Sequence, residues 1–247
     1  MKTFLSTTIL LFLFNILPNP VAASDSFPHL WSGFSTSLLN RSEEQRRNAS
    51  IAGKIIDETI IPPGGLFSFN DLVGARDPAK GFVPAPNLNA LGILEEAPGG
   101  GICQLASTIY NTALMGGMTV VERHPHSRSV GHVPPGRDAT ISSWRKDLKL
   151  RNPFSHPLLL KVNTSGDRLT VALRSSIPKD FQVRIISEQT ELEPQTVAGH
   201  GTKAQSGVCG FTTQTRRITS INGMESVEIV SEDVYPAPSR IIGGGGE

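Results

Sequence analysis

Two segments of the chain place apolar residues at the spacing of a helix, and they predict its two main helices. The first covers Asn40 to Ile60, with Ser42 as its N-cap and a Pro-Pro-Gly-Gly run directly after it. The second covers Cys103 to Met115 and ends at Gly116-Gly117. Between them, residues 74–101 are rich in Gly, Pro and Asn, which predicts a long ordered loop that covers part of the molecule.

Shorter stretches have the composition of strands. The clearest are two hairpins, and the second turns at Asn222-Gly223, a pair of residues that strongly favours a tight hairpin turn. The paired segments are Leu158 to Val162 with Arg168 to Leu173, and Phe211 to Ile218 with Ser226 to Val230. The other predicted strands are Leu66 to Phe69, Met118 to Glu122, His132-Val133 and Ala139 to Ser142.

These elements predict an α+β fold, in which a small antiparallel sheet packs against two main helices and a C-terminal β-hairpin forms an appendage. The expected organisation is a signal peptide at 1–23, a loosely ordered lead-in at 24–39 and a main domain at 40–185. A C-terminal β-hairpin extension then occupies 186–240, and a flexible tail occupies 241–247.

The first 23 residues have the features of a secretory signal. Lys2 precedes an apolar run that starts at Ile9, Pro18 interrupts that run, and Val21-Ala22-Ala23 offers small residues for cleavage after Ala23. A permanent anchor is the alternative, but a span takes about 20 apolar residues and this run is shorter. We therefore expect an exported protein, periplasmic or extracellular, with no stable membrane span after cleavage.

The charge of the chain is balanced, with 23 basic and 22 acidic residues and no block of either sign. This distribution lacks the basic patch of a nucleic-acid-binding protein, so no nucleic-acid partner is expected.

The segment around Cys103 carries the first candidate chemistry. Three glycines, Gly99 to Gly101, stand directly before the second helix, where they allow a sharp turn of the backbone. A cysteine in the first turn of a helix lies at the positive end of the dipole, which favours the thiolate. The backbone N–H groups of Cys103 and Gln104, together with the backbone of Gly101, are candidates to stabilise an oxyanion. The alternative is that Cys103 is only a small buried apolar residue.

A nucleophilic cysteine needs a base and a group that orients the base. His126 is the candidate base and Asp138 the candidate orienting carboxylate, so that Cys103, His126 and Asp138 form a triad. This order along the chain is similar to the layout of transglutaminase-like and papain-like enzymes, which is an analogy of layout only. His132 competes with His126 as the base, and Asp147 competes with Asp138. The secondary candidates are His124, Ser127, His132 and Asp147.

Two other arrangements remain open at this point. Cys103, Asp138 and three histidines can converge on a metal ion, although zinc sites have tighter spacing, and we expect no metal or other cofactor. The histidines in that set are His124, His126 and His132. In an oxidising compartment, Cys103 and Cys209 can instead form a disulfide.

An ordered series of motifs over roughly residues 45–175 resembles the VanW family. Those motifs are Pro63 to Asn70, Val73 to Arg76, Gly99 to Gln104, Ser107 to Asn111, Glu122 to Ser127, Gly136 to Thr140 and Asp147 to Asn152. The resemblance implies an exported or envelope-associated protein found with vancomycin resistance clusters, and it implies no reaction. This chain departs from the family pattern at His132, where an aromatic residue is commoner, and at Ser143 to Lys146, in place of a glycine-containing turn.

The triad and the resemblance together predict a cell-envelope protein that acts on peptidoglycan peptides as a cysteine-dependent acyl transferase or amidase. The alternative is a non-catalytic module that binds a cell-wall glycan or peptide, or that has a structural role.

Overall fold

The computed structural model describes residues 26–88, 94–142, 145–200, 209–237 and 240–244 of the chain. The signal segment expected at 1–23 lies outside these residues. Over the described part the fold is α+β, with several antiparallel sheets and few helices. None of the helices described is long and apolar enough to cross a membrane.

Helix α1 spans Glu43–Ile56 and begins at the predicted N-cap. The Ser42 hydroxyl accepts the Gln45 backbone N–H at 3.2 Å, and the Gln45 side chain accepts the Ser42 N–H at 3.2 Å, which completes a capping box. The predicted extension to Ile60 is wrong. The backbone leaves the helix at Asp57, and Ile60–Ile61 forms strand β2 instead, because it pairs with a later strand.

A four-stranded antiparallel sheet in the order β1-β9-β8-β2 forms one wall of the core. Strands β8 (Leu158–Ser165) and β9 (Arg168–Ser175) are the predicted first hairpin, which is confirmed. Strand β1 covers His29–Ser37 and pairs along its length with β9. The expected loosely ordered lead-in is therefore wrong for these residues, since a distant strand supplies the hydrogen bonds that order them.

A second antiparallel sheet has the order β3-β7-β6 and lies next to the start of α2. Its strands are β3 (Leu66–Ser68), β6 (Thr119–Glu122) and β7 (Lys149–Arg151), and α2 covers Phe69–Val73. The predicted strands at 66–69 and 118–122 thus appear with slightly shorter bounds.

The long segment 74–101 is more regular than a loop. It contains a 3₁₀ turn at Pro78–Lys80 and an antiparallel pair formed by β4 (Pro84–Leu88) and β5 (Leu94–Pro98). The strands predicted at 132–133 and 139–142 are wrong, apart from an isolated bridge at Ser142. The backbone of 139–141 bonds to side chains and to a loop rather than to a neighbouring strand.

The C-terminal part forms two small sheets. The larger is antiparallel, in the order β10-β12-β13, with β10 at Gln182–Leu192, β12 at Gly210–Ile221 and β13 at Met224–Tyr235. The predicted turn between β12 and β13 is confirmed, with φ of 52° at Asn222 and 80° at Gly223.

The smaller C-terminal sheet pairs β11 (Thr196–His200) with β14 (Arg240–Gly244) in parallel. The flexible tail expected from 241 therefore does not begin there, because the chain continues as a paired strand to Gly244. Residues 245–247 lie outside the described part.

Helix α3 (Ile102–Met115) is the buried centre of the fold and confirms the second predicted helix. Its apolar side chains pack against the four-stranded sheet and against α1, and those of Leu105, Ile109 and Leu114 are fully buried. Each such side chain contributes about 2 kcal/mol through burial. This packing fixes the N-terminal end of α3, where Cys103 lies.

Candidate active site

Glycine is required where α3 begins. Gly101 is the N-cap and has φ of 101°, a conformation that side chains disfavour. A Cβ on Gly101 would lie 2.6 Å from the backbone oxygen of Gln45 in α1, and one on Gly100 would lie 2.4 Å from that of Ala85 in β4. The glycines thus let α3 start against two other elements, and Cys103 becomes its second residue.

Cys103 is half-buried, and its sulfur lies against the backbone of Ile141. The Ile141 N–H donates to Sγ at 3.5 Å, and the Ile141 oxygen lies 3.6 Å from Sγ. Burial alone would raise the pKa of the thiol. The hydrogen bond and charge of His126, the Ile141 backbone and the charge of Arg76 outweigh it, so the pKa of Cys103 is lowered.

His126 is the histidine whose hydrogen bond and charge lower the pKa of the Cys103 thiol, and its ring is bound to Asp138. The ring Nδ1 of His126 lies 2.5 Å from Asp138 Oδ2, and the His126 backbone N–H donates to the same oxygen at 2.7 Å. Burial lowers the pKa of His126, but the hydrogen bonds and charges of Asp138 and Cys103 raise it well above its usual value. A raised imidazole pKa beside a lowered thiol pKa favours a thiolate–imidazolium pair.

Asp138 is fully buried and remains ionised because of its neighbours. Burial raises the pKa of its carboxyl group, but the His126 hydrogen bond, the charges of Arg123 and His126 and the Tyr235 hydroxyl lower it to about 2. Arg123 donates from Nη2 to Oδ1 at 3.1 Å and from Nε to the Asp138 backbone oxygen at 2.6 Å. A buried carboxylate with this many donors can orient an imidazole without taking its proton.

His132 lies in the same region but has another role. Arg41 donates from Nη2 to His132 Nδ1 at 3.1 Å, and Nε2 lies 3.1 Å from the Ser107 hydroxyl. Because arginine can only donate, Nδ1 accepts and the neutral ring carries its proton on Nε2. Burial, together with the charges of Arg41 and His126, lowers the pKa of His132 to about 3. A neutral ring with both nitrogens occupied does not compete with His126 as the base.

The sulfur and the His126 ring open onto a cleft of about 360 Å³, which we call the Cys103 cleft. Arg41, Arg128 and His132 line it, and no acidic residue does so within the described part of the chain. Its remaining walls are Gln45, Pro86, Asn87, Gly101, Gln104, Ser129, Val130 and Gly131. The charged side chains that line the cleft around the thiol are therefore positive.

Three of the secondary candidates lie outside this arrangement. His124 bonds Glu122 at 3.0 Å, just after the end of β6, and neither His124 nor Ser127 lines the Cys103 cleft. Asp147 accepts the Ser68 hydroxyl at 2.5 Å and the Asn70 N–H at 2.9 Å, so it holds the start of α2 and not an imidazole.

The backbone of Gln104 is occupied within its own helix turn. Its N–H donates to the Gly101 oxygen at 3.2 Å, and its side chain donates to the Ser37 oxygen at 2.8 Å and accepts from Arg41 at 2.6 Å. Gln104 thus builds the cleft wall. Among the hydrogen bonds of the described residues, the Cys103 N–H has no acceptor, and it is the better placed candidate for an oxyanion.

Neither the disulfide nor the suggested metal set is formed. Cys103 and Cys209 are both free, and Cys209 is exposed. Over the described residues, the only His, Cys or acidic ligand atoms that gather within 4.8 Å belong to three exposed residues, Glu191, Glu193 and Cys209. Exposed acidic groups of this kind are common without an ion.

Sequence reasoning missed most of the groups that surround the triad. Arg123 stands three residues before His126, inside a recognised motif, and its charge beside the histidine was a usable signal. Tyr235 and Asp233 contact Asp138 and Arg123 from about a hundred positions away, and nothing in the local sequence points to them.

Comparison with known proteins places these residues in a wider group. The family model "VanW like protein" matches residues 44–174, which include Cys103, His126 and Asp138. An uncharacterized protein, YoaR of Bacillus subtilis, is 36% identical over 162 residues, covering 65% of this chain and 53% of YoaR. The vancomycin B-type resistance protein VanW of Enterococcus faecalis is 34% identical over 113 residues, covering 42% of this chain and 40% of that protein.

The matched regions thus span about half of each curated relative or less. No solved structure matches the chain. The transglutaminase-like or papain-like layout therefore remains a prediction.

Proposed function

The chain belongs to the VanW family, and we propose that it is an exported, cysteine-dependent acyl transferase or amidase that acts on peptidoglycan peptides. The observation that carries the proposal is that Cys103 and His126 line the same cleft, with the His126 ring bound to the buried carboxylate of Asp138. One relative is a vancomycin resistance protein, which supports an association of this chain with that resistance. Export rests on the sequence of residues 1–23.

Cys103 is the nucleophile in this mechanism. Its thiolate attacks the carbonyl carbon of a peptide amide, and the oxyanion that forms is stabilised by the Cys103 N–H at the start of α3. The C–N bond then breaks, and His126 gives its proton to the leaving amine. The products of this half-reaction are a thioester on Cys103 and a free amine.

The second half-reaction returns the enzyme to its starting state. An amine or a water molecule attacks the thioester carbonyl, and His126 takes the proton of that nucleophile. The C–S bond breaks, which releases a new amide or a free acid and restores the thiolate. Asp138 keeps the imidazole in one orientation and stabilises its charged form throughout.

The charge of the Cys103 cleft supports a substrate that carries carboxylates. Arg41 is half-buried and fixed by Gln104 and His132, and Arg128 is exposed at the rim. Arginine suits carboxylate recognition because its planar group can donate two parallel hydrogen bonds. Peptidoglycan stem peptides carry free carboxylates, so the cleft fits this class.

The test uses the purified chain and soluble stem peptides. Intact-mass measurement after mixing should show an acyl adduct on wild-type protein, mapped to Cys103, with release of an amine-bearing product. Cys103→Ala should form neither, and Cys209→Ala should behave as the wild type, because Cys209 is an exposed cysteine outside the cleft. Saturable peptide binding that Cys103→Ala retains, without any adduct or product from the wild type, would instead support the non-catalytic binding module.

A further inference from the structure

Tyr235, the last residue of β13, reaches the triad from the sheet β10-β12-β13, which we call the C-terminal sheet. Its side chain is 1% exposed, and its hydroxyl donates to Asp138 Oδ1 at 2.5 Å while accepting the Gly136 N–H at 2.7 Å. Burial and the negative charge of Asp138 raise the pKa of this tyrosine, so its hydroxyl stays protonated and remains a donor.

A second residue of the same strand reaches the same carboxylate through Arg123. Asp233 precedes Tyr235 by two positions, so both side chains point to one face of β13. Arg123 Nη1 lies 2.6 Å and 2.5 Å from the two carboxylate oxygens of Asp233, while its Nη2 and Nε bond Asp138. The side chains of Arg123, Asp138 and Asp233 are all at least nine-tenths buried, which strengthens the interactions among them.

The sheet that carries these residues is anchored to the turn before Asp138. From β12, the Thr215 hydroxyl donates to the Gly136 oxygen at 3.2 Å, and a Cβ on Gly136 would lie 2.4 Å from that hydroxyl. Arg217, also in β12, donates to the oxygen of Met118 at 2.6 Å, three residues after the end of α3. The C-terminal sheet therefore contacts both the turn at Gly136 and the segment that follows α3.

We propose that β13 is part of the acyl-transfer site, with Tyr235 and Asp233 as positioning residues that hold the Asp138 carboxylate in the plane of the His126 ring. The inference rests on the proposed function of Cys103. Both residues lie beyond the segment 44–174 that matches the family model. The C-terminal sheet thus completes the site and is more than an attached module.

The two oxygens of Asp138 have separate partners, and this explains the need for β13. Oδ2 accepts both N–H groups of His126, whereas Oδ1 is held by Tyr235 and Arg123. Without the partners of Oδ1, the carboxylate can turn about its Cβ–Cγ bond and leave the imidazole less well oriented. The imidazolium is then held less firmly, and the Cys103 thiolate loses the charge that stabilises it.

The experiment measures the pH dependence of Cys103 alkylation by iodoacetamide, with the modified peptide quantified by mass spectrometry. In Tyr235→Phe we expect the midpoint to rise by about one pH unit, which is roughly tenfold less thiolate at pH values below it. Tyr110→Phe is the matched control, because it removes a buried tyrosine hydroxyl that makes no hydrogen bond to Asp138. Its midpoint should equal that of the wild type.

A double-mutant cycle separates positioning from general loosening of the fold. Once Asp138 is replaced in Asp138→Asn, adding Tyr235→Phe should shift the midpoint no further, because the carboxylate that Tyr235 holds is gone. Asp233→Asn should also raise the alkylation midpoint of Cys103, as Tyr235→Phe does.

The outcomes distinguish this inference from the proposed function. A wild-type midpoint at the ordinary thiol value of about 8.5 would overturn the proposed function itself. A low wild-type midpoint that Tyr235→Phe leaves unchanged, or lowers, would overturn only the role of β13. The same holds if the Tyr235→Phe shift persists in full beside Asp138→Asn, since Tyr235 would then act without Asp138.

Discussion

One oxygen of Asp138 accepts two N–H groups of the same residue, His126. The backbone donor lies 2.7 Å from Oδ2 and the ring Nδ1 lies 2.5 Å from it. This double contact fixes both the backbone position and the ring plane of His126, and it leaves Nε2 as the nitrogen available to the Cys103 thiol. The tautomer of His126 therefore follows from its contact with Asp138.

The first prediction concerns acid stability. The pKa of Asp138 is about 2 in the folded chain, against about 3.9 for an unperturbed aspartate, so its carboxylate stabilises the fold above about pH 4. This contribution, roughly 2 kcal/mol, is lost as the pH falls from 4 through 2. Urea unfolding at several pH values should show the free energy of unfolding falling together with the pH in the wild type. The slope of that free energy against pH should be shallower in Asp138→Asn.

A matched control for this slope is Glu122→Gln. The pKa of Glu122 is also lowered to about 2, first by its hydrogen bond to Lys149, but its side chain is partly exposed and its contribution is screened by solvent. Glu122→Gln should therefore flatten the slope less than Asp138→Asn does. Equal slopes in the wild type and Asp138→Asn would contradict the buried-carboxylate interpretation.

The second prediction concerns the thiol. Among the groups that lower the pKa of Cys103 against the effect of burial, His126 acts most strongly, through its hydrogen bond and its charge. In His126→Asn, the alkylation midpoint of Cys103 should rise by one to two pH units or more, because the thiolate loses the hydrogen bond and the charge of His126. Each pH unit corresponds to roughly 1.4 kcal/mol. His124→Asn is the control, since His124 bonds Glu122 outside the cleft, and its midpoint should match the wild type. Identical profiles for the two variants would refute the pairing of Cys103 with His126.

The elements that the sequence predicted best are those with strong local signals. Helix α3 has apolar residues at helical spacing and a glycine stop, and the turn at Asn222-Gly223 has the residues that a tight hairpin requires. The His29–Ser37 strand was missed, because its order comes from pairing with β9, more than a hundred residues later. Local periodicity does not contain that information.

The site follows the same division. Cys103, His126 and Asp138 lie within 36 positions, in motifs whose residue types already suggest chemistry. Burial and hydrogen-bond partners were needed to choose between His126 and His132 and between Asp138 and Asp147. In the structure His132 is neutral, and Asp147 holds the start of α2. The contacts of Tyr235 and Asp233 with the site arise only when the C-terminal sheet packs on the turn at Gly136.

The third prediction tests the start of α3. In Gly101→Ala, the new Cβ meets the Gln45 backbone oxygen at 2.6 Å and the residue keeps a φ of 101°. Backbone strain and the clash together should lower the free energy of unfolding by about 3 kcal/mol. Gly166→Ala, with φ of 54° and no heavy atom within 4 Å, isolates the strain and should cost about 1 kcal/mol. Similar losses in the two variants, measured by urea unfolding, would show that the contact with α1 is not needed.

The fourth prediction concerns recognition of carboxylates in the Cys103 cleft. Arg128 lines the rim, is exposed, and is not among the main groups that set the pKa of Cys103. Arg128→Gln should therefore leave the alkylation midpoint unchanged. The concentration of stem peptide that protects Cys103 from alkylation should rise roughly fivefold, as expected for one lost charge-assisted contact. The deficit should shrink at high salt, because an exposed charge is screened. Arg184→Gln, an exposed arginine of β10 outside the cleft, is the matched control and should protect as the wild type does. If a peptide whose carboxylates are amidated protects the wild type equally well, the positive charge of the cleft does not select its substrate.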